Sequence, residues 1–459
     1  MSFFLLSVGT LVPILLFLVV VHELGHFATA RSLGVKVLEF GVGFPPRAFG
    51  FYTGKTQVLI APNTRFINLD GEADLQPGSL VKVTSDEDAE GNLVARTIEL
   101  PQSGVGWAAR IGLKGGPNEE QSDVKPVEVE PVVVDDSDQL LKHEGKVRSV
   151  ENGSMVLADM LYSVNWAPLG GFVRLAGESN PAIPRSLASK GVGTRFLVLV
   201  AGPLMNALLP IAIFTVLLMM PQDVLVGQVA VDAVTEGSPA QAAGIQKDDV
   251  ILSSDGAKIE NAGDLIRYIN LKGGNSMEWL VSRGSSQEII RVTPAFVTEE
   301  GRWLVGIGTR LDNSHVEKRS QAPWTAFQNS FVNTWEMLVL MKQGIFGAFS
   351  SGGSPQFSGP IGIAQITGEF AKEGGLVGVM GITILLSINL AILNILPIPA
   401  LDGGRLVFVV LEWVRRGKRV PPDKEGLVHL IGFVVLIGFI ILVSANDINR
   451  LIQGQSFLG

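Results

Sequence analysis

The run Phe3 to Ala30, FFLLSVGTLVPILLFLVVVHELGHFATA, stays apolar long enough to cross a bilayer and then sets two histidines and a glutamate into the same stretch. In lipid, backbone polar groups must be satisfied within the segment, so such a run folds as a membrane-crossing helix. An ionisable side chain at membrane depth costs roughly 3 kcal/mol, and His22, Glu23 and His26 therefore call for a functional reason. Residues four apart lie on one helix face, so His22 and His26 can offer imidazole nitrogens to one metal ion. Glu23 stands beside them. The HExxH spacing gives zinc two neutral nitrogen ligands and places a carboxylate where it can take a proton from water at the metal.

A catalytic zinc keeps three protein ligands and one open position. His143 and His315 fall in polar segments read as water-exposed, and His429 begins a later apolar run. Asp402 is the better candidate. It lies in SINLAILNILPIPALDGGRLVFVVLEW, where Pro397, Pro399, Gly403 and Gly404 break a membrane helix, a break tolerated only against protein or a cavity. Asn389 and Asn394 carry donors that can hold a substrate backbone or orient the metal ligands; hydrogen bonding between helices is the competing reading. Asn389, Asn394, Pro397 and Pro399 are thus the candidate substrate-binding positions.

The chain has 459 residues, 47% of them hydrophobic, with mean hydropathy +0.35 and a formal charge of −8, which together indicate a polytopic membrane protein of several domains. The first apolar run has no basic leader and exceeds the core of a cleavable signal, so it is expected to stay attached. There is no cysteine, which excludes disulfides and thiol catalysis. No basic arm points to nucleic acid.

Four runs are expected to span: about 4–30, 195–220, 378–399 and 427–445. Residues 1–53 hold the first span and membrane-associated strands. Residues 162–221 hold further strands and the second span, and 378–459 hold the last two spans with LDGG. In 320–377, PWTAFQNSFVNTWEMLVLMKQGIFGAF repeats aromatic residues at helical spacing and reads as an amphipathic interfacial helix followed by a loop. Residues 54–161 form an insert of short strands, TQVLIA, TRFINL, SLVKVTS, NLVARTIEL, GKVRSV and GSMVLAD, broken by glycine, aspartate and asparagine turns: a small barrel-like β domain. Its 115–138 stretch is proline-rich and acidic, a flexible excursion. The insert's role is open, a solvated decoration being the simplest. Arg31, Lys36 and Arg47, then Arg185, Lys190 and Arg195, then Arg405, Arg415, Arg416, Lys418 and Arg419 cluster in alternate loops. The positive-inside rule puts these loops and the insert in the cytoplasm and both termini outside.

HELGH in the first span and NxxPxPxLDGG in a late one resemble the site-2 protease family of intramembrane zinc metalloproteases. YSVNWAPLGGFVRLAGE, RFLVLVAGPLMNALLP and FSGPIGIAQITGEF resemble its bacterial, sigma-factor-regulating branch. The resemblance implies that His22, His26 and Asp402 ligate zinc and that Glu23 is the general base. It implies an endopeptidase of a bacterial inner membrane that cuts transmembrane segments of single-pass proteins, such as an anti-sigma factor or remnant signal peptides. The glycine-rich NWAPLGGFVR and GVGFPP segments would pair with the extended substrate. Residues 225–312, with EGSPAQAAGIQKDDVILSSDG, resemble a PDZ domain in which Asp248 replaces the usual glycine. Such a domain captures a peptide or protein ligand by strand addition, unless it serves only for packing. The fold expected is thus a polytopic α-helical membrane protein of about four transmembrane helices with an inserted β-rich small barrel-like domain and one PDZ domain. An inactive membrane-anchored PDZ scaffold or chaperone, and a transporter, are the alternatives from other classes.

Overall fold

Among the described residues of the computed structural model, four helices are long and apolar enough to cross a membrane. The structure describes residues 2–69, 71–101, 140–178, 180–298, 300–350 and 358–453, so the 115–138 excursion lies outside the described residues. In chain order the helices are α1 (Ser2–Ser32), α2 (Val192–Met219), α3 (Pro239–Ala242), α4 (Ala262–Lys272), α5 (Pro323–Ser350), α6 (Pro360–Ile395), α7 (Asp402–Val414) and α8 (Pro422–Ile452). The spanning ones are α1, α2, α6 and α8. Within α6, Gly375 has φ 51° and interrupts the helix, and the segment after it coincides with the span read at 378. The helix ends at Ile395, ahead of Pro397, because proline removes an N–H and pushes the residue before it out of helical geometry. The expected end at 399 is therefore too late.

The chain divides into two compact units, Gly9–Ala207 with Asn389–Leu436 and Met1–Val8 with Leu208–Ile388 and Ile437–Gly459. In the first, β1 (Val37–Thr53) and β7 (Met160–Leu175) pair along nearly their whole lengths, from Val37 opposite Leu175 to Thr53 opposite Met160. The two glycine-rich segments face each other there: Gly41 pairs with Phe172 on one side and Ser163 on the other. The insert springs from the Thr53–Met160 end of this ribbon as a closed barrel of β2 (Thr56–Ile67), β4 (Leu93–Glu99), β3 (Leu80–Glu87), β5 (Leu141–Glu151) and β6 (Ser154–Ala158). TQVLIA and TRFINL are one strand, not two, with a register shift between Ile60 and Arg65. The β2–β4 pair is parallel and the other barrel pairs are antiparallel. Alternation fills the interior with Val81 and Val83, Leu93 and Ala95, and Met155 and Leu157, all buried. Asn152 and Gly153, at φ 50° and 72°, close the β5–β6 hairpin as a two-residue turn whose twist matches its strands.

His143 corrects the sequence reading. It lies on β5 between inward-facing Leu141 and Gly145 and is buried, not exposed. Its Nδ1 is 2.7 Å from Asp159 Oδ2 and its Nε2 3.2 Å from Ser85 Oγ. Lys36, just past α1, donates to Asp159 at 2.6 Å and to Thr56 at 2.7 Å, and Thr56 donates to Asp159 Oδ1 at 2.7 Å. Burial pushes the Asp159 carboxyl up, but the His143 hydrogen bond and the Lys36 charge outweigh it and bring it down to about 2. Burial pushes the Lys36 ammonium down, against the pull of Asp159. This network fastens the barrel to the connection leaving α1.

In the second unit a sheet of order β12 (Ser286–Val292), β11 (Met277–Arg283), β9 (Val250–Ser254), β8 (Gln222–Val234), β15 (Ile307–Arg319), with β10 (Ala257–Lys258) beside β9, encloses Val229, Ile251, Leu265, Ile269, Trp279 and Val281. With α3 and α4 it forms the domain expected from the sequence to be PDZ-like, and its outer strands run beyond the 225–312 bounds. Asp248 has φ 69°, the left-handed conformation glycine usually supplies. The expected amphipathic helix is α5. It joins the PDZ domain through Arg267 Nε to Glu336 at 2.8 Å and Trp303 Nε1 to the Gln343 carbonyl at 3.2 Å, and leaves Trp324, Phe327, Phe331 and Trp335 exposed. A short hairpin, β13 (Ala295–Val297) with β14 (Arg302–Leu304), carries Trp303.

The Lys36–Asp159 pair gives a test. Asp159→Ala strands a buried ammonium and should cost about 3 to 5 kcal/mol, read as a lowered thermal midpoint of the full chain in detergent. Replacing both, Lys36→Met with Asp159→Leu, should recover most of that loss; equal damage in the double variant would show that the pair is not the fastening.

Candidate active site

The His22 and His26 side chains emerge one turn apart from α1, and α2 runs against them with a stripe of its own. Val198, Gly202 and Asn206 recur at four-residue spacing on α2. Gly25 and Gly202 let the two backbones touch: a Cβ at Gly25 would collide with the Ala201 carbonyl, and one at Gly202 would collide with His26 Nε2 and sit 2.7 Å from His22 Nε2. His26 Nδ1 donates to the Val198 carbonyl at 2.7 Å, which leaves the Nε2 lone pair facing its neighbours. His22 Nδ1 is 3.2 Å from the Asn206 amide.

Asp402 opens α7 and brings its carboxylate to the same point. Its Oδ2 is 2.9 Å from His22 Nε2 and 3.3 Å from His26 Nε2, and the two Nε2 atoms are 3.1 Å apart. One ligand atom from each of the three residues lies within 4.8 Å of the others. Two imidazole nitrogens and one carboxylate oxygen converging on one point are a donor set that zinc takes. The residues present therefore fit the metal.

Glu23, next to His22 on α1, is held by a strand. Its Oε2 accepts a hydrogen bond from the Val173 N–H of β7 at 3.0 Å, so the strand that carries NWAPLGGFVR holds the candidate base. Arg405, one turn past Asp402, pairs with Glu178 just beyond the end of β7 at 2.7 Å.

The structure thus gathers His22, Glu23, His26 and Asp402. It gives the other four candidates different surroundings. Asn389 is half-buried near the end of α6, Asn394 spends its amide on the Leu390 carbonyl of its own helix at 2.9 Å, Pro397 is exposed, and Pro399 abuts Gly432 of α8. Sequence reasoning missed the α2 stripe. A glycine and an asparagine four apart in an apolar helix are the signal that marks such a contact face.

The chain matches the profile of peptidase family M50 over residues 10–118 and 147–439. It is 32% identical to zinc metalloprotease RasP of Oceanobacillus iheyensis, covering 98% of both chains. It is 30% identical to the regulator of sigma-W protease RasP of Bacillus subtilis over 95% of this chain and 96% of that one, and 29% identical to zinc metalloprotease RasP of Geobacillus kaustophilus over 94% and 95%. Among solved structures, the PDZ domain of the SdrC-like protein of Listeria monocytogenes aligns with 18% of this chain and 85% of its own at 24% identity and a TM-score of 0.17.

Gly202→Ala tests the crowding directly. A methyl group there enters the space shared by the ligand atoms, so affinity for a divalent metal should fall by about a hundredfold in competition with a chelator. Unchanged affinity with an unchanged melting curve would mean that α2 does not shape the site.

Proposed function

This chain belongs to peptidase family M50, and we propose that it is a zinc metalloendopeptidase that hydrolyses peptide bonds within the membrane, with His22, His26 and Asp402 as metal ligands and Glu23 as general base. The observation that carries the reading is the cluster of His22, His26 and Asp402 beside a carboxylate fixed by a strand. Zinc, when bound, supplies the Lewis acidity that makes water nucleophilic near neutral pH.

The chain's own residues do the rest. The Val198 carbonyl keeps the His26 proton on Nδ1, so Nε2 stays free to ligate. For His22 the same effect requires the Asn206 amide, whose nitrogen lies 3.2 Å from Nδ1, to flip so that its oxygen faces that nitrogen. Glu23 takes the proton from water and returns it to the nitrogen of the departing amine. The Val173 N–H holds the carboxylate in place for both transfers. A helical substrate must unwind before its peptide bonds are open to attack. The glycine-rich β1–β7 ribbon offers a strand edge on which an extended segment can be held, next to Glu23. Asn389, Asn394, Pro397 and Pro399 lie on the approach to Asp402 in sequence and remain proposed contacts for that segment.

The substrates are single-pass membrane proteins, an anti-sigma factor or remnant signal peptides among them; the relative named as a regulator of sigma-W protease supports the first. The protein is placed in a bacterial inner membrane, with the basic loops and the barrel in the cytoplasm and both termini and the PDZ domain outside. The PDZ domain takes a peptide or protein ligand and so selects or gates substrates. An inactive scaffold is disfavoured because all four groups that catalysis needs are present, three of them converging and the fourth held by β7.

Glu23→Gln should keep about one zinc per chain and lose cleavage of a model membrane substrate by several orders of magnitude. His22→Ala, His26→Ala and Asp402→Ala should lose both. Cleavage at the wild-type rate by Glu23→Gln would remove the proposed base.

A further inference from the structure

The turn that delivers Asp402 is held in a conformation its own residues disfavour. Leu396 to Leu401 fold back on themselves, with Ile398 N–H donating to Leu396 at 2.7 Å and Leu401 N–H to Ile398 at 3.2 Å. Ala400, two residues before Asp402, has φ 77°. An L-residue with a Cβ is strained there, and such strain persists only when the surroundings impose it.

What imposes it comes from α8. The Ala400 N–H donates to His429 Nδ1 at 2.9 Å. With Nδ1 accepting, the ring proton sits on Nε2. That nitrogen is buried without a hydrogen-bond partner among the described residues, and the nearest carboxylate, Glu425, is 3.9 Å away. The bond to Ala400 is therefore the polar contact that His429 is oriented to make. One turn along α8, Gly432 abuts Pro399 so closely that an added Cβ would collide with the proline ring and sit 3.0 Å from its carbonyl. One face of α8 thus grips the turn twice, by a hydrogen bond at Ala400 and by backbone contact at Pro399.

We propose that His429 is a positioning residue of the metal site: its Nδ1 clamps the strained Ala400 turn and so sets the Asp402 carboxylate against His22 and His26. This rests on the reading of Asp402 as a metal ligand. His429 is not itself a ligand, and it acts through the backbone. Without the clamp the turn relaxes towards negative φ, and Asp402 must be re-ordered each time metal binds. Partners that orient a metal ligand are worth about tenfold to hundredfold in affinity.

Zinc affinity of the full chain in detergent, measured by chelator competition, tests this without reference to activity. His429→Leu removes the acceptor and should weaken zinc binding about tenfold to hundredfold. His429→Asn places an amide oxygen where Nδ1 was and should stay within about threefold of wild type. Adding Ala400→Gly to His429→Leu should restore most of the loss, because glycine accepts positive φ without strain and needs no clamp. A purely structural role for His429 in packing α8 would not be rescued at position 400. Wild-type affinity in His429→Leu, a His429→Asn variant as weak as His429→Leu, or no recovery in the double variant would each overturn the proposal. Asp402→Ala is measured alongside. If it binds zinc like wild type, the reading of the site fails and the inference with it; if it loses zinc while His429→Leu does not, the inference alone fails.

Discussion

Two imidazoles and a carboxylate drawn together inside an apolar helical bundle are unfavourable on their own, and a shared cation is what turns their convergence into a bound state. The Nε2 atoms of His22 and His26 lie 3.1 Å apart with Asp402 Oδ2 at 2.9 and 3.3 Å. Neighbouring structure can be read as the means of holding these three atoms together. Gly25 and Gly202 remove the side chains that would keep α1 and α2 apart, the Val198 carbonyl fixes one imidazole tautomer, and the turn before α7 presents the carboxylate. A glycine costs helix stability in isolation, but here the close approach it permits is what brings the proposed ligands within reach.

The β1–β7 ribbon is the second partner of the site. It bonds Glu23 through Val173, and just beyond its end Glu178 meets Arg405 on the helix that begins with Asp402. The strand proposed to hold an extended substrate is therefore joined to both the proposed base and the proposed third ligand. The barrel is attached more remotely, through Lys36, Thr56, Asp159 and His143, to the connection that leaves α1. Its attachment is specific and buried, which sets it apart from a loosely tethered decoration.

Much of this was legible in the sequence because the signals are local. HELGH carries its own helical spacing, LDGG its own helix break, and the barrel strands and the Asn152–Gly153 turn follow period-two alternation and turn chemistry. The parts that escaped are those decided by partners far along the chain. His143 stands in the polar run Lys142–Glu144, and only the inward phase of β5 with Asp159 and Ser85 opposite buries it. The α2 stripe looks like ordinary apolar helix until α1 lies against it. His429 stands at the start of an apolar run, and its bond to Ala400 depends on a positive φ that no periodicity reports. The joining of TQVLIA and TRFINL into one strand depends on β4 pairing parallel to it, again a long-range choice.

The central claim is that one zinc ion is held by two imidazole nitrogens and a carboxylate oxygen from α1 and α7. Zinc K-edge X-ray absorption on the purified full-length Glu23→Gln protein reads that donor set directly. The account predicts a low-coordinate site with two imidazole nitrogens at roughly 2.0–2.1 Å and oxygen ligands at roughly 2.0–2.2 Å, with the carboxylate contribution lost in an added Asp402→Ala. A site with three or more imidazoles, or an unchanged spectrum after loss of Asp402, would contradict it.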